Sequence, residues 1–166
     1  MNRHILFIIT LVVGLFAINW LNNDSQNTMP ELSFTDIDKQ THSLAQYQGK
    51  PILMIFWATD CPGCIKEMPA LIKLHETYAE QGLTMIGVAM SHDSLRHIKT
   101  MREKRKLPYI ITWDHNTQIA RAFGNVRVTP THFLIDSTGQ IVMRKIGAID
   151  LTRLEQKLQN LGLNSI

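Results

Sequence analysis

The sequence predicts an α/β domain built on a mixed central sheet with helices on both faces, and three observations carry that reading. Short apolar runs alternate with amphipathic helical stretches between Ile52 and Phe123. Two further runs, at 131–135 and 141–146, are separated only by Asp136-Ser137-Thr138-Gly139, which is hairpin-turn chemistry. A closing helix from about Asp150 places Leu151, Leu154, Leu158 and Leu161 along one face. With 166 residues, 45% hydrophobic and 19% charged, the chain supports one domain with a full core and requires no second.

Taken in order, residues 5–21 form an apolar stretch broken only by Thr10, Gly14 and Asn19, with Arg3 before it and the polar run from Asn22 to Thr28 after it. This reads as an export signal. No small-x-small cleavage site follows, so residues 1–23 are expected to stay as an uncleaved transmembrane anchor, with the N-terminus cytoplasmic and the rest of the chain exported. Residues 24–30 read as a polar linker and 31–166 as the domain. Leu32, Phe34 and Ile37, followed by residues 42–44, suggest a short N-terminal β-hairpin, and Gln48-Gly49-Lys50-Pro51 turns the chain into a buried central strand at 52–58. A helix is expected over about 62–81, with Ile65, Met68, Leu71, Ile72 and Leu74 apolar and a kink at Pro69. A second buried strand at 83–90 leads to a helix carrying Leu95, Ile98 and Met101, capped by Ser91 or Asp93 and ended by Lys106-Leu107-Pro108. Residues 109–112 are a weak strand, and Asp114 caps a short helix that stops at Gly124.

The motif with the most chemistry is Cys61-Pro62-Gly63-Cys64. Two intervening residues at the start of a helix let the sulfurs reach bonding distance, and a strand-to-helix junction supplies N–H groups and a dipole that favour a thiolate. Two cysteines in an exported protein ordinarily suggest a structural staple. A loop this short, however, restricts the unfolded chain little, so the spacing argues for redox cycling. A structural zinc site wants four ligands, and no second Cys-x-x-Cys or His pair completes one, so no metal and no cofactor are expected. His75, His92, His97, His115 and His132 are scattered and read as surface or partly buried residues. Arg96, Lys99, Arg102, Lys104, Arg105 and Lys106 form the wet face of a helix, with docking of an acidic partner or anionic lipid as the lesser reading. The 17 basic and 14 acidic residues are too balanced to suggest nucleic acid.

Over residues 32–161 the chain resembles the thioredoxin superfamily, and within it the membrane-anchored TlpA/ResA-like thiol-disulfide oxidoreductases. The residues that carry the likeness are Gly49-Lys50, Phe56-Trp57-Ala58-Thr59, the Cys-Pro-Gly-Cys pair, Glu67 with Pro69, Val128-Thr129-Pro130-Thr131 before Phe133-Leu134-Ile135-Asp136, and Gly147. The resemblance implies a thioredoxin-like fold in which 83–125 holds an extra strand-helix segment. It further implies that Cys61 is the attacking thiol, Cys64 the resolving thiol and Pro130 a cis-proline facing them, with Thr129 and Trp57 shaping the site. Ile55 stands where thioredoxins proper carry a buried acid, and Glu67, three residues beyond Cys64, is the nearest replacement, reaching back towards that thiol or else a solvated carboxylate. Asp60 occupies a position that is usually aromatic; it reads as a helix cap, as a negative charge that disfavours the Cys61 thiolate, or as both. His132 stands where a second Thr is common.

The function so implied is that of a periplasm-facing disulfide reductase in the bacterial inner membrane, acting on protein disulfides and re-reduced by a membrane electron donor. Two alternatives differ in chemistry. A peroxiredoxin-type thiol peroxidase would place Thr where Ala58 stands, and a copper-binding thiol chaperone, with Met68 or a His as third ligand, would separate its cysteines by three residues.

Overall fold

A computed structural model describes residues 11–14 and 27–164. Its centre is β3 (Ile52–Trp57), Ile-Leu-Met-Ile-Phe-Trp, with all six residues buried. A continuous run of this kind suits a strand covered on both faces. β4 (Thr84–Ala89) lies parallel to β3, and β5 (Ile110–Trp113) parallel to β4. On the other side β6 (Thr131–Ile135) and β7 (Ile141–Ile146) run antiparallel, giving the order β5-β4-β3-β6-β7 and the mixed sheet expected. The connecting helices are α1 (Pro62–Tyr78), α2 (Leu95–Arg105), α3 (Gln118–Ala122) and α4 (Leu151–Asn160). α1 continues through Pro69 and ends three residues before the expected limit.

The two faces of the sheet are chemically different. On one, Phe56, Phe123 and Phe133 meet edge to face, with centroids 5.1–5.7 Å apart, and join α3 to the sheet. On the other, register aligns Ile55 with Gly87 of β4 and with His132 of β6. Opposed residues share a face, so His132 turns towards the side that α1 covers.

The β5 edge is covered, and the β7 edge is met at its start. The hairpin of β1 (Ser33–Thr35) and β2 (Thr41–Ser43), followed by a single 3-10 turn at Leu44–Tyr47, docks on β5: Ile37 N donates to Ile111 O at 2.9 Å and Thr112 Oγ1 to Thr35 O at 2.8 Å. At the far edge Met29 N donates to Gly139 O at 2.7 Å and Ile141 N to Asn27 O at 2.6 Å. Residues 27–29, read from sequence as the end of a tether, are therefore held against the β6–β7 hairpin. Docking of the hairpin on β5 blocks that edge from pairing with other chains.

Two caps differ from expectation. Ser94, not Ser91 or Asp93, caps α2, accepting from His97 N at 3.3 Å. Asp114 lies ahead of α3 and accepts from Ile119 N and Ala120 N at 3.0 and 2.8 Å, satisfying donors that the helix leaves free. Residues 11–14 are helical, and no helix among the described residues is long and apolar enough to cross a membrane. The expected anchor at 1–23 lies largely outside the described residues.

Candidate active site

The chain leaves β3 at Trp57, turns through Ala58-Thr59-Asp60, and enters α1 with Cys61 as its N-cap and Pro62 at the first helical position. Proline is suited there, because its missing N–H would have no partner within the helix. Cys61 and Cys64 are joined in a disulfide with their Cα atoms 5.3 Å apart. Cys61 Sγ also accepts from Cys64 N at 3.2 Å, the capping bond that Ser or Asp would otherwise supply. Cys61 retains 9% exposure and Cys64 only 1%, so an incoming sulfur meets Cys61 first.

Asp93 fixes the turn before the disulfide. Its carboxylate accepts from Thr59 N at 2.7 Å, Thr59 Oγ1 at 2.9 Å and Ser94 N at 2.8 Å. Replacing Asp93 by Ala leaves two partly buried donors at Thr59 unpaired and is expected to cost about 1–2 kcal/mol in chemical denaturation. Urea titration of the variant checks this, and a loss below about 0.5 kcal/mol would mean that water replaces the carboxylate.

Asp60 does not cap the helix, since Cys61 holds that position. Its side chain is 74% exposed and lies 3.3 Å from His92 Nε2. Pro130 follows a cis peptide bond from Thr129, and its Cδ lies 3.4 Å from where a Cβ on Gly63 would stand. A larger residue at 63 would crowd the proline. The backbone N–H and C=O of Thr129 make no hydrogen bond to another described residue, and Val128 beside it is 55% exposed. Trp57 is buried and does not line the surface: its Nε1 lies 3.1 Å from where a Cβ on Gly87 would stand, so glycine there makes room for the indole.

Glu67 is buried on the inner face of α1, one turn beyond Cys64. It is neither solvated nor bonded to Cys64. Oε1 lies 2.8 Å from His132 Nε2, and Oε2 accepts from Ile149 N at 3.4 Å. His132 is fully buried, in contrast to the surface or partly buried reading from sequence. Tyr109, nearby, has its phenol pKa pushed up, first by burial and then by the Glu67 charge. Among the described residues no group of three or more His, Cys, Asp or Glu side chains is placed to hold a metal ion, so no His stands ready as a third ligand beside the two sulfurs.

A disulfide at a helix N-terminus, with one cysteine more exposed than the other and the unpaired backbone of Thr129 beside the cis-proline, is the apparatus of thiol-disulfide exchange on a thioredoxin-like fold. Comparison with known proteins agrees. The family model described as Redoxin matches residues 24–160. The thiol-disulfide oxidoreductase ResA of Geobacillus kaustophilus is 30% identical over 135 residues, covering 81% of this chain and 76% of that protein. ResA of Bacillus anthracis is 30% identical over 132 residues, covering 80% and 75%. Among solved structures, a protein of Neisseria meningitidis determined in solution as a candidate thioredoxin superposes with a TM-score of 0.77 at 32% identity, covering 84% of this chain and 92% of that one.

The chain belongs to the Redoxin family, in the ResA/TlpA-like group of the thioredoxin superfamily, and is a thiol-disulfide oxidoreductase.

Proposed function

We propose that the protein is a disulfide reductase of the bacterial periplasm, held at the inner membrane by residues 1–23 with its N-terminus in the cytoplasm. Cys61 attacks a disulfide of a protein substrate, and Cys64 resolves the mixed disulfide. The unequal exposure of the two cysteine residues is the observation that carries this assignment. Thr129, with its unpaired backbone beside Pro130, offers an extended substrate a strand-like partner, as in recognition by strand addition. The oxidised pair is returned to the dithiol by a membrane electron donor, because a reductase outside the cytoplasm must draw its electrons across the membrane.

The reducing direction is supported by Asp60. A carboxylate next to Cys61 disfavours the thiolate, hence the reduced form, and so lowers the reduction potential of the pair. Its exposure and its neighbour His92 keep that effect small. Asp60→Asn is therefore expected to lower the pH at which the Cys61 thiolate appears by less than about one unit, read from thiolate absorbance, and to make the disulfide slightly more oxidising. A thiolate titrating at the same or higher pH would remove this support.

The test of direction is equilibration of the pair with glutathione redox buffers, alongside insulin reduction. A pair more reducing than glutathione, with catalysis of insulin reduction, is the expected result. A pair as oxidising as the strong oxidases of this fold, with faster oxidation of reduced substrates, would reverse the direction.

A further inference from the structure

We infer that His132 is a positioning residue for the resolving step: its hydrogen bond from Nε2 to Glu67 Oε1 holds that buried carboxylate in place to take the proton of Cys64. The inference rests on the reading of Cys64 as the resolving thiol.

The need for such a group follows from burial. Cys64 is 1% exposed, so its thiol cannot pass a proton directly to bulk water. Glu67 lies three residues further along α1 on the same buried face, the spacing at which helical side chains are neighbours. A buried carboxylate tends to protonate, and a protonated one cannot serve as a base. Hydrogen bonds to the charged form oppose that tendency. Glu67 has two donors available, Ile149 N at 3.4 Å and His132 Nε2 at 2.8 Å, of which the imidazole is the shorter.

The environment also fixes which way the imidazole is used. His132 Nδ1 is buried without a hydrogen-bond partner. A hydrogen on Nδ1 would be a buried donor with no acceptor, whereas one on Nε2 meets Glu67 Oε1, so Nε2 is the donating nitrogen. The other titratable groups around the pair do not replace it. Tyr109 keeps its proton, Lys145 lies opposite His132 on β7 with its side chain exposed, and Asp150 follows Ile149 at the head of α4 as that helix's N-cap. His132 comes to this place through register, opposite Ile55.

In the mixed disulfide, the Cys64 thiol gives its proton to Glu67, and the thiolate attacks Cys61 Sγ. The Cys61–Cys64 bond forms, and the bond from Cys61 to the substrate sulfur breaks. The substrate leaves as a thiolate and takes up one proton; two electrons have passed from the cysteine pair to the substrate.

The test uses the reduced full-length chain and a nitrobenzoate disulfide that releases a coloured thiolate at each step, so that attack and resolution appear as two phases. In His132→Leu, Glu67 is left buried without its main donor. The second phase is expected to reach half its maximal rate about one pH unit higher, and to slow about tenfold relative to the first phase at neutral pH. His132→Gln restores a donor and should return the second phase to within about threefold of the parent. Should His132→Leu not fold, Glu67→Gln carries the test: it keeps the side-chain shape but cannot accept the proton, and should slow the second phase at every pH below the thiol's own titration.

An unchanged pH profile in His132→Leu, or in Glu67→Gln, would overturn the inference. Cys64→Ser serves as the separate control. If it abolished the first phase rather than the second, the assignment of attacking and resolving thiols would fail, whatever the His132 variants do.

Discussion

Insulin reduction by Cys61→Ser is expected to fall by about three orders of magnitude or more, to the rate of the reductant alone, because the more exposed cysteine of the pair is gone. Cys64→Ser should lose turnover as completely but by a different route. Its Cys61 can still attack once, and with no resolving thiol the covalent complex persists. The contrast comes from the position of each cysteine: Cys61, the N-cap of α1, keeps partial exposure, and Cys64 is one turn inward and enclosed. Accumulation of the covalent complex to the same extent in both variants would show that exchange does not begin at one sulfur.

The largest effect on stability is expected at Phe56. It is fully buried in β3 and contacts Phe123 and Phe133 edge to face, so Phe56→Ala removes the ring that joins α3 to the sheet. The loss should be about 3–5 kcal/mol in equilibrium denaturation, combining lost transfer energy with the cavity left behind. The side chain faces away from α1, so the molecules that remain folded should exchange disulfides at near the parent rate. A loss under about 1 kcal/mol would mean that Phe123 and Phe133 collapse into the space.

Much of the architecture was legible because hydrophobic period and turn chemistry report it locally. Residues 52–58 read as a buried strand from their unbroken apolar run, one residue beyond the end of β3, and the Cys-Pro-Gly-Cys motif marked the start of α1 through its proline. The partners of polar residues were less legible. β6 is buried on both faces, so no alternation of polar and apolar residues shows which way His132 points; that depends on its register with Ile55, set by a strand 75 or so residues earlier in the chain. Asp93 has the composition of a cap, yet its carboxylate spans 34 residues to Thr59, leaving Ser94 to cap the helix. Residues 27–29 look like linker because their composition is polar, while the bonds that hold them are to backbone groups at 139–141, which composition does not report.

The central claim is that disulfide exchange starts at Cys61 and is completed by Cys64. Its most direct test is mass mapping of the complex formed when reduced Cys64→Ser protein is mixed with an oxidised protein substrate. The expected product is a single mixed disulfide from Cys61 to a substrate cysteine, dissolved by dithiothreitol. Failure to form that adduct, together with ready formation of one through Cys64 in the Cys61→Ser protein, would contradict the assignment.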